Sequence, residues 1–88
     1  SIKAGIIALT KYIATYYGSY NVRANTISPG GIYDNQDPSF VEKYSRKTPL
    51  GRMGKPQEIV GAVIYLAADA SSFVTGQNIL VDGGWTAW

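Results

Sequence analysis

The 88-residue sequence predicts an α/β fold built on two neighbouring parallel strands. Apolar residues recur at helical spacing near the start of the chain and again in its second half. Two short apolar runs, at 22–28 and 77–82, are closed by Pro29-Gly30-Gly31 and by Gly83-Gly84. Helical sequence lies between the two runs, and a strand–helix–strand order favours a parallel pair joined by a right-handed crossover.

The first helix is expected over residues 2–17. Ile2, Ile6, Leu9, Ile13 and Tyr16 fall on one face, and Ala4, Ile7, Ala8, Tyr12 and Tyr17 widen it. A helix this apolar is expected to be buried on more than one side. Gly18 is its expected stop, because glycine tolerates the left-handed conformation. The first strand is expected over 22–28, with Val22, Ala24 and Thr26 on one face and Arg23, Asn25 and Ile27 on the other. After a polar loop, Asp37-Pro38 opens a short helix carrying Phe40, Val41 and Tyr44. The acid serves as N-cap and the proline as first helical residue. Residues 48–55 form a connection. Pro56 then starts a third helix, with Glu58 in its first turn, where the helix dipole favours an acid. Residues 70–76 read as a turn region and 77–82 as the second strand.

Two parallel strands cannot cover three apolar helices, and parallel sheets are normally buried on both faces. The sequence therefore expects sheet from elsewhere, supplied by a longer chain or by another subunit. The opening Ser-Ile-Lys, which lacks Met, is expected to continue something longer.

Composition narrows the function. Eight Lys and Arg against six Asp and Glu give a formal charge of +2, with no basic run to track a phosphate backbone, so nucleic acid is not an expected partner. There is no cysteine and no histidine, which removes disulfides, thiolate metal sites and the commonest general base. No segment has the length of a membrane span or opens like a signal peptide, so a soluble, cytoplasmic protein is expected.

Four segments are similar, in order, to the short-chain dehydrogenase/reductase family. Ser1 to Lys11 resembles its catalytic helix, and Asn25 to Ile32 its strand and loop beside the nicotinamide. Residues 49–59, Pro-Leu-Gly-Arg-Met-Gly-Lys-Pro-Gln-Glu-Ile, resemble the lead into its penultimate helix. Val74 to Gly84 resembles its last strand and tail. The resemblance implies that residues 1–88 are the C-terminal segment of a single doubly wound, Rossmann-like NAD(P)-binding domain. They would contribute its last two strands and three helices, with the phosphate-binding N-terminal part absent.

The same resemblance implies site residues. Lys3 matches the lysine of the family's Tyr-x-x-x-Lys motif, so its tyrosine belongs four residues earlier. Residues four apart share a helix face, and a nearby cation lowers a phenol's pKa. Lys3 is thus implied as both catalytic and cofactor-binding, NAD or NADP being the cofactor. Pro29, Gly30, Gly31 and Ile32 match the loop beside the nicotinamide, with the Ile32 backbone implied to bond the carboxamide. Asp34 stands where the family often has Thr, and either faces substrate or caps the loop. Tyr33, Asp34, Asn35, Gln36 and Tyr44 lie where the family's substrate lid begins. Their character suits a hydroxylated, sugar-like alcohol or ketone, and residues 30–38 resemble a bacterial subgroup tied to surface-sugar and flagellin modification. The first helix and the tail with Trp85 and Trp88 are implied homo-oligomer contacts. A second expectation stands beside the enzyme: a non-catalytic structural or oligomerisation module that binds no cofactor by itself.

Overall fold

The computed structural model describes residues 1–88, in the order α1 (Ile2–Tyr17), β1 (Thr26–Pro29), α2 (Pro38–Lys47), α3 (Pro56–Ala67) and β2 (Asn78–Val81). Short 3-10 turns follow α1, α3 and β2, at Gly18–Tyr20, Asp69–Ser71 and Trp85–Ala87. The strands pair in parallel, Thr26 opposite Asn78 through to Pro29 opposite Val81. The α/β architecture is the one expected, with both strands shorter than the sequence suggests.

Side-chain chemistry explains the shortening of β1 from the expected 22–28. Arg23 reaches the carboxyl end of α3, donating to the carbonyls of Leu66 (3.0 Å) and Val74 (3.2 Å). Asn25 donates to the Val74 carbonyl at 2.9 Å and accepts from the Gln77 backbone N–H at 3.0 Å. Before Thr26 one backbone bond crosses, from the Gly76 N–H to the Ala24 carbonyl at 2.7 Å, and these side-chain bonds interrupt the rest of the ladder. Gly18 does not stop α1 in the left-handed conformation. It stays right-handed at φ −58°, the chain tightens into a 3-10 turn, and Asn21 takes the left-handed position at φ 59°.

The helix starts follow their sequence signals. Ser1 caps α1, accepting from the Ala4 N–H at 3.2 Å. Asp37 caps α2, accepting from the Ser39 N–H at 2.8 Å, with Pro38 at the first turn. At α3, Glu58 accepts from the Lys55 N–H at 2.9 Å and takes a two-pronged pair from Arg52 at 2.7 and 2.9 Å.

Successive strand residues face opposite ways. Thr26 meets α1 through a 2.7 Å bond between its hydroxyl and that of Thr10, while Ile27 lines a depression with Val63, Leu66 and Ala67 of α3. The two helices therefore lie on opposite faces of the strand pair. Little is buried there: only Ala14 and Met53 among apolar residues, with Ser28, Thr48 and Ser71. On α1, Ile2 is 85% exposed and Leu9 56%, and Val60, Val63 and Ile64 of α3 are also open. The expectation that α1 is buried on several sides is not met by contacts within these 88 residues. The chain exposes 6395 Å², about a quarter more than the ~5,000 Å² of a compact domain of this size. Its radius of gyration is 15.3 Å against roughly 12 Å for a compact chain of this length. No helix is long and apolar enough to cross a membrane.

Two outcomes follow from this architecture. Produced alone, the 88-residue chain is expected to self-associate in size-exclusion chromatography with light scattering; a cooperatively folded, well-behaved monomer would contradict the account of its open faces. The second concerns Glu58, whose carboxyl is pulled from an ordinary 4.5 to about 2, first by the Arg52 bonds and then by the Lys55 N–H. A lowered carboxyl stabilises the fold above 4.5, and that contribution is lost as pH falls toward 2. Glu58→Gln is therefore expected to flatten the acid limb of a stability–pH curve between those values. An unchanged slope would show that the pair does not couple to folding.

Candidate functional site

Parallel pairing sends both strands out at the same edge, so the loop after β1 and the tail after β2 leave side by side. Gly30 extends the ladder by one bond, its N–H donating to the Val81 carbonyl at 2.9 Å. A Cβ on Gly30 would stand 2.7 Å from the Asp82 Cα, so this crossing admits no side chain. Lys3, on the first turn of α1, is exposed at the same edge. It lines a depression of about 280 Å³ with Pro29, Gly30, Tyr44, Asp82 and Trp85.

Beyond Gly30 the chain makes an isolated parallel bridge, Ile32 opposite Gly54. The Gly54 N–H donates to the Gly31 carbonyl and the Tyr33 N–H donates to the Gly54 carbonyl, both at 2.9 Å. This pattern uses the groups on either side of Ile32 and leaves its own N–H with no partner in the chain. The Ile32 carbonyl accepts from the Gln36 side-chain amide at 2.9 Å. Ile32 is half-buried, and it lines a small cavity of about 110 Å³ together with Gly31, Tyr44 and Asp82. A half-buried backbone donor without a partner at the carboxyl edge of parallel strands is a ready contact for a ligand carbonyl.

Gly31 is tied to α2. Its N–H donates to the Tyr44 hydroxyl at 2.6 Å, and a Cβ there would overlap the Tyr44 ring, 2.6 Å from Cε1. Tyr44 in turn lies flat on Trp85, with ring centroids 4.4 Å apart at 12°. Asp82 shapes the tail: its carboxylate accepts from the Gly84 N–H (3.0 Å) and from the Thr86 hydroxyl (2.7 Å) and N–H (3.2 Å). The Thr86 hydroxyl is the main reason its carboxyl lies below the usual range.

A family sequence model described as Enoyl-(Acyl carrier protein) reductase matches residues 1–86. The crystal structure of a short chain dehydrogenase from Leptospira borgpetersenii serovar Hardjo-bovis, with bound NAD+, superposes with a TM-score of 0.91 at 56% identity. That match covers 96% of this chain and 33% of the other. This chain belongs to the short-chain dehydrogenase/reductase family.

Two curated relatives are similar over almost all of it. Sorbose reductase SOU1 of Candida albicans is 48% identical over 96% of this chain and 31% of its own length. The ribulose-forming D-arabinitol 2-dehydrogenase of Candida tropicalis is 40% identical over 98% and 33%. The chain thus spans about a third of the length of the relatives it matches.

Apart from Gln36, whose side-chain amide bonds the Ile32 carbonyl, the expected residues fall into two groups. Lys3, Pro29, Gly30, Gly31, Ile32 and Tyr44 gather along the carboxyl edge of the strands, in two hollows that share Tyr44 and Asp82. Tyr33, Asp34 and Asn35 lie exposed on the loop, Asn35 with left-handed φ 55°. Of the two roles left open for Asp34, the turn itself is closed by its backbone. Its N–H donates to the Gln36 side chain at 2.7 Å, while its carboxylate makes no bond within the chain.

Asp82 and Trp85 are the residues that sequence reasoning did not place at the edge. Gly83 and Gly84 after Asp82 signalled a turn, but nothing local showed that the turn folds back onto α2. Gly31→Ala is expected to destabilise the protein by about 1–3 kcal/mol through overpacking against Tyr44. Denaturant unfolding of the variant checks this, and a midpoint equal to the parent's would mean that the ring yields freely.

Proposed function

We propose that the chain is the C-terminal part of an NAD- or NADP-dependent oxidoreductase acting on an alcohol or ketone carbon of a sugar or polyol. The partnerless Ile32 N–H carries the reading. It suits the carbonyl oxygen of a nicotinamide carboxamide, at the strand edge where dinucleotides bind in doubly wound sheets. The Ile32 carbonyl, with Gln36 on one lone pair, retains a second for the carboxamide N–H. Bound there, the cofactor supplies or accepts the hydride.

Lys3 has a different task. Its ammonium stands on the first turn of α1, four residues after the place of the family's tyrosine, a spacing that on a continuous helix sets both side chains on one face. It favours the phenolate and so eases proton exchange with the substrate hydroxyl or carbonyl. The ammonium also has the reach and charge to hold a ribose hydroxyl. Pro29, Gly30 and Gly31 carry the loop that holds Ile32 at the edge.

Two relatives named for sorbose and for D-arabinitol and ribulose support a ketose or polyol substrate. The exposed Tyr33, Asp34 and Asn35 agree with it, since polyols are recognised by hydrogen bonds and by stacking on aromatic rings. The surface-sugar and flagellin-modification subgroup is a narrower form of the same class, supported only by the composition of residues 30–38. The open apolar surface of α1 and the exposed Trp88 favour a homo-oligomer. The same surface favours the second reading, in which these 88 residues by themselves assemble without binding cofactor.

Lys3→Ala in the full-length protein is expected to cut turnover of a ketose and polyol panel by at least about a hundredfold with the circular dichroism spectrum unchanged. NADH is expected to bind the full-length protein and not the isolated 88 residues. Retained turnover would remove Lys3 from the chemistry. Tight binding by the isolated chain would show that it carries a complete cofactor site.

A further inference from the structure

We infer that Trp85, in the C-terminal tail, is a positioning residue for the nicotinamide-binding loop, acting through Tyr44. The inference rests on the assignment of the Ile32 loop to the nicotinamide. The contacts form a chain from the tail to that loop. Trp85 lies flat against Tyr44 at 4.4 Å, the Tyr44 hydroxyl accepts from the Gly31 N–H at 2.6 Å, and Gly31 directly precedes Ile32. Tyr44 is thereby held on both sides: its ring packs on the tail, and its hydroxyl fixes the Gly30–Gly31 peptide, one plane before the one that carries the Ile32 N–H.

The tail is in turn fastened to α2 and the connection after it. The Leu50 N–H donates to the Gly83 carbonyl at 3.1 Å, and the Trp88 indole N–H donates to the Lys47 carbonyl at 3.1 Å. Asp82 holds the turn between strand and tail through Gly84 and Thr86. Trp85 is half-buried, and its indole face is spent on Tyr44. A stacked aromatic pair fixes a ring plane more narrowly than aliphatic packing does. A hydroxyl in a fixed plane gives the Gly31 N–H one direction to point, and this bond, together with the Gly54 N–H on the Gly31 carbonyl at 2.9 Å, holds both peptides of Gly31 and so sets where the Ile32 N–H projects.

The consequence is specific to one end of the dinucleotide. Loosening the stack displaces the nicotinamide contact and leaves the adenosine and phosphate contacts alone. The test uses the full-length protein and two ligands: NADH or NADPH, whichever the wild type binds, and the matching ADP-ribose, which lacks the nicotinamide. Calorimetric titration is expected to show Trp85→Ala and Tyr44→Phe each weakening the reduced dinucleotide about five-fold, the scale of one lost hydrogen bond. ADP-ribose affinity is expected to stay within about two-fold, and Trp85→Phe, which keeps a ring on Tyr44, to bind like the wild type. The double variant Trp85→Ala/Tyr44→Phe is expected to be no weaker than either single one, because both act through one bond.

Equal weakening of both ligands, additive losses, or unchanged dinucleotide affinity in Tyr44→Phe would overturn the inference. Should Trp85→Ala fail to fold, Tyr44→Phe and Trp85→Phe decide the matter on the same criteria. A wild-type protein that binds ADP-ribose no less tightly than the reduced dinucleotide, or that binds neither, would instead defeat the assignment of the Ile32 loop.

Discussion

The parallel register between β1 and β2 is the constraint from which the site follows. With Pro29 opposite Val81, both strands end at one edge, and the next residue of each chain meets the other at Gly30 and Asp82. An antiparallel pair would have sent the two exits to opposite ends of the sheet. Here they run together, so a loop near residue 32 and a tail near residue 85 become neighbours. The glycine at 30 belongs to this crossing. The resemblance implied it beside the nicotinamide, and in the structure the space it leaves is taken by Asp82. Gly31 is similar, with Tyr44 filling the gap. The backbone donor left for a ligand is therefore the one after both glycines, at Ile32.

What the sequence made legible was mostly local. Asp37-Pro38 and Pro56 with Glu58 start helices at the residues where they were expected to, because caps and first-turn charges act within one turn. The two strands were legible as strands and not in their extent, because Arg23 and Asn25 commit their side chains to carbonyls about fifty residues away in sequence. Propensity and alternation contain no information on such partners. The stop at Gly18 failed for a related reason: Asn21 could take the left-handed turn, so glycine was not needed for it.

The site divides along the same line. The edge that gathers Lys3 and residues 29–32 was implied by motif and spacing. Tyr44 was implied near substrate because it lies where the family's substrate lid begins. Its contacts with Gly31 and Trp85 depend on α2 and the tail meeting in space, and neither neighbour is within a turn of it in sequence. Glycine pairs announce that a chain turns and do not say against what it turns.

The open faces of the helices bear directly on the role proposed for Lys3. A two-stranded sheet is about 10 Å wide, the diameter of a single helix, so each face seats one helix and leaves its flanks bare. Within the chain, α1 is fastened toward its middle and carboxyl end, by the hydroxyl bond from Thr26 to Thr10 and by the burial of Ala14. Lys3 stands seven residues before Thr10, roughly 10 Å along the axis from the nearest of these anchors. Between them Ile7 is half-buried, while Ile6 and Leu9, like Ile2 just before Lys3, are exposed. A positioned side chain needs tolerances of about half an ångström, so the amino end of α1 has to be held as well as its middle. Whatever protein surface covers Ile2, Ile6 and Leu9 would therefore do two things at once. It would remove apolar area from water and fix the ammonium relative to the Ile32 donor, so that cover for the helix and competence of the proposed site would arrive together.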